Sequence, residues 1–291
     1  MTELKLLDML TSSGVKIKEP AMYEIEKHKL IQTIETFFDC GSVYKEHDNG
    51  VREERPSQTE FVLKQLGILG ISLCGGAVTS LFSNAAVKDL DFYVAEESLQ
   101  EEALKFIGSF FGTPVFVSDN ATTFKRKSAR SNKMWTVQVI TRFTGDANTL
   151  FQNFDFTVTM GCYNFWKEEF ELHPRFLPDI AKRRLVYSGA SLYPICAMAR
   201  IKKYEAKGYT CPNSTVMHIA LCIVQLKIEN YAQLKQQLFG IDTIYLQRLL
   251  AGKKYQDYMA NNVPVNYGEF IEEVFIGING PIEEAEVIED V

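Results

Sequence analysis

The sequence predicts an α+β chain, a mixed sheet with flanking helices followed by a helical carboxy-terminal part. Three observations carry this. Between residues 71 and 160 short strand candidates follow one another with few helices between them, the pattern of antiparallel neighbours. After about Phe176 the apolar spacing changes to the helical period. The composition, 291 residues with 46% apolar, 23% charged and 12% aromatic side chains, is that of a globular fold with a substantial core.

The elements follow in order. From Glu24, EIEKHKLIQTIETFF places Ile25, Leu30, Ile31, Ile34 and Phe37 close to one helical face. KEHDNGVREERP is expected to be an exposed loop. Ser57 and Glu60 have capping-box spacing and open a helix to about Leu66, which feeds a strand ISLC at 71–74. GGAVTSLF gives a turn and short helix, DLDFYV (89–94) a strand, EESLQEEALKFIGSFFG a helix, and PVFVS, TFKR and WTVQVIT strands. DANTLFQNF is a short helix and DFTVTM (155–160) a strand. Helices are expected near 176–184, 191–207, 214–229, 231–239, 241–251 and 268–276. The chain divides into a helical extension (1–60), a sheet domain (61–175), and a helical neck and carboxy-terminal domain (176–291).

Charge and cysteine usage exclude several classes. Thirty-one basic against thirty-seven acidic side chains gives −6, and five of the acids lie in the tail from Glu283 to Asp290, so the rest is near −1. A globally basic nucleic-acid binder is not expected, although local basic patches exist. The uncharged run from Gln65 to Val87 is punctuated by Gly67, Gly70, Gly75 and Gly76 and is assigned to core rather than membrane. MTELKLLDML has acids where a signal peptide is basic, which points to a cytoplasmic address. The six cysteines form no C-x-x-C and the four histidines do not cluster, so zinc is not expected.

The chemistry sits in CGGAVTSLFSNAAVKDLDFYV. Glycines after a strand let backbone approach a ligand, and a helix start offers free N–H groups to phosphate. Thirteen positions beyond Gly76, strand alternation puts Asp89 and Asp91 on one face and Leu90 and Phe92 on the other. Two hard-oxygen ligands on one face suit Mg²⁺, and their repulsion calls for a cation. The plain alternative is a solvated strand face.

GGAVTSLFSNAAVKDLDFYV resembles the Gly-Gly-x-Val-Arg-Asp and Asp-x-Asp signature of the nucleotidyltransferase superfamily that includes DNA polymerase beta. The form is that of bacterial and eukaryotic CCA-adding enzymes and bacterial poly(A) polymerases. DFTVTMGCYN at 155–164 resembles that family's Arg-Arg-Asp-Phe-Thr segment, and residues 179–208 resemble the strand and neck helix that follow. The resemblance covers about 67–208. It implies that Asp89 and Asp91 bind two Mg²⁺ ions, and that Gly75 and Gly76 hold the triphosphate of an NTP such as ATP, with Thr79, Ser80, Lys88 and Arg200 also nucleotide-binding. Asp155 is implied as a third catalytic carboxylate or as a group facing the sugar. The implied reaction moves a nucleoside monophosphate to an acceptor hydroxyl, foremost an RNA 3′ end. The alternatives are a protein or small-molecule acceptor, or a catalytically silent nucleotide- or RNA-binding module.

The departures are specific. Thr79-Ser80 stands where the family has Arg-Asp, and Asn153-Phe154 where it has Arg-Arg. Tyr193-Pro194 and Ala197 replace the base-pairing side chains of the neck, where only Arg200 keeps its place. Basic residues gather at Lys125, Arg126, Lys127, Arg130 and Lys133, and again at Lys182, Arg183, Arg184, Lys202, Lys203 and Lys207. Either group is a candidate for phosphate or RNA contact or an ordinary solvated face. Tyr204 and Tyr209 are candidates for base stacking or for packing.

Overall fold

The computed structural model describes residues 23–40, 44–46, 52–54, 58–128, 133–238, 249–270 and 272–273. The expected cap at Ser57, most of the helix at 241–251, the end of that at 268–276, Arg130 and the acidic tail lie outside them.

The architecture is α+β. Helix α1 (Glu24–Phe37) precedes a two-stranded hairpin, β1 (Tyr44–Glu46) antiparallel to β2 (Arg52–Glu54). This corrects the loop expected over these residues. There follow α2 (Gln58–Ile68), β3 (Ile71–Cys74), α3 (Gly76–Phe82), β4 (Asp89–Val94), α4 (Gln100–Phe111), β5 (Phe116–Val117), β6 (Ala121–Lys127), β7 (Met134–Thr144) and α5 (Ala147–Phe151). Strands β8 (Gly161–Asn164) and β9 (Glu169–Leu172) complete a sheet of order β5-β6-β7-β4-β3-β8-β9. Only β4 and β7 pair in parallel, which makes the sheet mixed.

The expected strand at 155–160 is a correction. Thr157–Thr159 forms a 3₁₀ turn, and the strand begins only at Gly161. Its β-branched residues are buried and satisfy the propensity of a strand, but Thr157 N–H donates to Val186 O at 3.0 Å instead of entering the sheet.

Strand β4 is the middle strand of the seven. Leu90, Phe92 and Val94 are fully buried on one face, against a layer that includes Leu30, Ile34 and Phe37 of α1, Val62 and Leu66 of α2, and Ala103, Ile107 and Phe111 of α4. Burial at that level is worth about 1.5–3 kcal/mol per large side chain. Ile25, by contrast, is 67% exposed, so the buried stripe of α1 begins at Leu30. Helix α4 stops where Gly112 takes φ 79°, with its N–H on Gly108 O at 2.8 Å.

The opposite face carries Asp89, Asp91 and Tyr93. Over Tyr93 it is covered by α5, whose Ala147, Leu150 and Phe151 join Cys74, Cys162, Phe154 and Met160 in a separate apolar cluster. Asp146 caps α5 through its carboxylate, which accepts from Thr149 N–H at 2.9 Å.

Beyond the sheet lie α6 (Phe176–Ala181), α7 (Pro194–Glu205), α8 (Asn213–Gln225), α9 (Tyr231–Gln237) and α10 (Lys253–Ala260). Ala197, Ile201 and Ile219 belong to the main core, so α7 and α8 pack with the sheet. Cys196, Tyr231, Leu234, Leu250, Tyr255 and Phe270 make a second cluster further on. Among the described residues no helix is long and apolar enough to cross a membrane.

Candidate active site

The site is built on the end of β3 and the start of β4. Extending the antiparallel register of Leu73 on Phe92 by one step sets Cys74 opposite Asp91, so the chain enters Gly75–Gly76 beside the carboxylate strand. Gly75 has φ 77° and ψ −136°, a conformation natural only to glycine, and its N–H donates to Gly161 O at 3.1 Å. A Cβ built on either Gly75 or Gly76 meets no atom within 4 Å, so open space lies over both. Helix α3 starts there.

Asp89 is exposed, Asp91 half-buried and Leu90 between them fully buried, the alternation that the sequence implies. Asp91 lies close enough to Cys74 and Tyr93 to act on both. Burial first, then Cys162 and the charge of Asp91, pushes the Cys74 thiol up, and burial followed by Asp91 does the same to the Tyr93 hydroxyl. Cys74 and Cys162, cross-strand partners, hold their sulfurs 3.0 Å apart. The two carboxylates offer hard oxygens to a divalent cation beside open space. No group of three or more His, Cys, Asp and Glu able to hold a metal occurs among the described residues, so a cation held here would draw its other ligands from water and phosphate. That donor set fits Mg²⁺.

Asp155 and Arg200 are brought together. Asp155 is buried, and its Oδ2 accepts from Arg200 Nη1 at 2.7 Å while Oδ1 accepts from Phe156 N–H at 3.0 Å. Burial works against the charge of Arg200, but the charge and hydrogen bond of Asp155 outweigh it and hold the guanidinium protonated. Tyr204, one turn along α7, has its hydroxyl raised by burial and then by Asp155, with a smaller effect of Asp91. Its ring packs edge-on against Phe156 and Tyr209 at 5.5 and 5.7 Å, and Tyr209 is buried.

Thr79 and Ser80 direct their hydroxyls inward. Thr79 Oγ1 lies 2.7 Å from Val158 O and 3.0 Å from Gly75 O, and Ser80 Oγ donates to Gly76 O at 2.9 Å. Lys88 is exposed next to Asp89. Ser80 also lines a cleft of about 270 Å³ between α1 and the loop before β4, on the side of the sheet that carries Trp135, away from the carboxylates.

The basic groups divide. Arg126 is a structural side chain: it donates to Phe110 O at 2.7 Å and Phe37 O at 2.9 Å, pairs with Asp39 at 3.1 Å, and lies over the Phe111 ring. Lys125, Lys127 and Lys133 are exposed, as are Lys182, Arg183, Lys202 and Lys203. Arg184 pairs with Asp179, which is 1% exposed and also accepts from Arg175 and Thr157. The spacing of charges in sequence singled out neither Thr157 nor Asp179. The one trace of Thr157 was the resemblance of DFTVTM to the family segment.

The chain thus joins a seven-stranded mixed sheet to a strand, glycine turn, helix and carboxylate strand. It is similar to a tRNA-processing enzyme in an apo form (14% identity over 72% of this chain and 60% of that one, TM-score 0.45). It is also similar to the Thermotoga maritima CCA-adding enzyme complexed with tRNA (13%, 78% and 58%, TM-score 0.42) and to the Bacillus stearothermophilus CCA-adding enzyme in complex with CTP (16%, 66% and 48%, TM-score 0.43).

The chain belongs to the Gabija anti-defense 2 family, whose sequence profile matches residues 24–183, more than half of its length. It is 33% identical over 190 residues to Gabija anti-defense 2 of Bacillus phage SPbetaL7, a match that takes in 64% of this chain and 45% of that relative. The chain thus spans less than half the length of that relative.

Proposed function

We propose that the protein is a metal-dependent nucleotidyltransferase that moves a nucleoside monophosphate from an NTP to an acceptor hydroxyl, with an RNA 3′ end as the acceptor. The observation that carries this is the open space over Gly75 and Gly76 beside two carboxylates on one face of the central strand. In the reaction the acceptor oxygen forms a bond to the α-phosphorus, the bond from that phosphorus to the bridging oxygen breaks, pyrophosphate leaves, and the hydroxyl proton passes to solvent.

Asp89 and Asp91 would hold Mg²⁺, as two ions on this reading. The bound metal supplies Lewis-acid stabilisation of the charge that develops on the phosphoryl oxygens. The start of α3 would offer backbone N–H groups to the phosphates, and Gly76 would let them approach without a Cβ in the way. Lys88 adds positive charge at the same edge. Arg200 holds Asp155 in place at the neck, and Lys182, Arg183, Lys202 and Lys203 offer charge to a polyanionic acceptor. Where relatives are named for acting against Gabija, this chain is proposed to do the same, with transfer as its means.

A second reading, a silent nucleotide- or RNA-binding module, is favoured by the closed Asp155–Arg200 pair, which occupies a carboxylate that transfer would use. The deciding experiment incubates the full chain with Mg²⁺ and each NTP labelled at the α-phosphate, with and without total RNA. Covalent label in RNA together with pyrophosphate release is expected, both lost in Asp91→Asn. Nucleotide binding with no label in any acceptor would leave the silent module standing.

A further inference from the structure

The Thr157–Thr159 turn is a junction on which three parts of the site meet. On one side Thr79 Oγ1, from the helix that opens at the glycine turn, reaches Val158 O at 2.7 Å. On the second, the chain just before the turn carries Asp155, whose backbone carbonyl accepts from Ser188 N–H at 2.8 Å and whose side chain meets Arg200 of the neck. On the third, Thr157 Oγ1 donates to Asp179 Oδ2 at 2.7 Å.

Asp179 is a fixed anchor. It is 1% exposed, and its carboxylate also accepts from Arg175 Nε and Nη2 at 3.1 and 3.2 Å and from Arg184 Nη2 at 3.3 Å. Burial would raise its pKa, but these donors outweigh it and hold the group ionised below its usual range. A charge-assisted bond from a hydroxyl to such an anchor is short and directional. Thr157 itself is 3% exposed, so no solvent competes for its hydroxyl.

We propose that Thr157 is a positioning residue for nucleotidyl transfer: its bond to Asp179 fixes the turn from which the glycine helix and Asp155 are both hung. Its hydroxyl is engaged by Asp179, so its effect passes through the turn. Its effect on turnover rests on the function proposed above; its effect on the geometry of the glycine turn does not. A β-branched side chain of the same shape without the hydroxyl would keep the packing and release the turn.

The test compares Thr157→Val, which removes the hydroxyl, with Thr157→Ser, which keeps it, both against the unaltered chain at a temperature well below the melting point of each. Two readouts are taken, kcat and KM for the NTP, and amide hydrogen exchange from Gly75 to Ser80 with Leu90 to Val94 as the internal reference. In Thr157→Val kcat is expected to fall about tenfold or more with KM for the NTP changed by less than about twofold, because misplacement affects the reacting geometry more than binding. Exchange at Gly75–Ser80 is expected to quicken while Leu90–Val94 stays as before, and Thr157→Ser to restore both. Unchanged kcat in an active Thr157→Val enzyme would overturn the positioning role and leave the transferase reading intact. If the unaltered chain transfers no nucleotide, the transferase reading fails and the exchange arm decides alone: quickened exchange restored by serine supports the positioning, and unchanged exchange overturns it.

Discussion

Arg200 Nη1 donates to Asp155 Oδ2 at 2.7 Å, and this ion pair fastens the neck helix α7 to the segment that enters the Thr157–Thr159 turn. The carboxylate is buried and the Arg200 side chain is 40% exposed, so the two ends of the pair stand in different solvent.

Truncating the arginine strands a buried charge, whereas removing both partners strands nothing. Arg200→Met is therefore expected to cost about 2 kcal/mol, less than for a fully buried pair because Arg200 is partly hydrated. Adding Asp155→Asn to it should return part of that loss. Urea denaturation of the two single variants and the double variant measures the coupling, and additive losses would show that the pair contributes nothing.

Neutralising either strand carboxylate removes repulsion along with a hard ligand. Asp89→Asn and Asp91→Asn are each expected to abolish transfer with a melting temperature equal to or above that of the unaltered chain. The label-transfer assay and a thermal scan check this, and full activity in either variant contradicts the metal assignment.

The two glycines should separate in their behaviour. Gly75→Ala forces a side chain into φ 77° and ψ −136° and is expected to cost about 1–3 kcal/mol. Gly76→Ala meets open space and should leave stability within about 0.5 kcal/mol, yet place a methyl group where phosphate approaches, weakening NTP binding about tenfold or more. Denaturation and nucleotide titration on both variants give the comparison.

Asp179 predicts acid lability with a definite sign. Its folded-state pKa is depressed, so the unfolded chain takes up the proton first. The stabilisation is complete above the ordinary carboxylate value of about 4 and is lost as pH falls through the lower folded value. Unfolding free energy measured from pH 5 down to pH 2 should drop more steeply for the unaltered chain than for Asp179→Asn, which starts lower and varies less.

The sheet's centre was legible because two signals agreed there. In DLDFYV the alternation of acids with Leu90 and Phe92 and the preceding glycine turn both require one central strand with one open face, and the structure places it fourth of seven. Propensity misled at Thr157–Thr159, where β-branched residues are buried by a turn whose backbone partners come from Val186 and Phe156. Neither strand of the β8–β9 hairpin was expected: the strand placed at 155–160 stops short of β8, and EFEL alternates weakly, with all four of its residues partly or fully exposed. Arg126 stood in sequence within a basic run, but its partners are carbonyls at the ends of α1 and α4, 89 and 16 residues away. A charge run carries no record of such acceptors.

The pairing of β3 with β8 joins Cys74 to Cys162 across 88 positions of chain. A contact of that separation is expected to close late in folding, because the loop entropy is lost before the pairing returns anything. A chain folded only as far as β7 would carry the glycine turn and both strand carboxylates but lack Gly161 under Gly75 and Val158 beside Thr79. On the function proposed above, phosphate affinity is expected to arise only in the final cooperative step, and a stalled intermediate is expected to hold a nearly complete sheet without it.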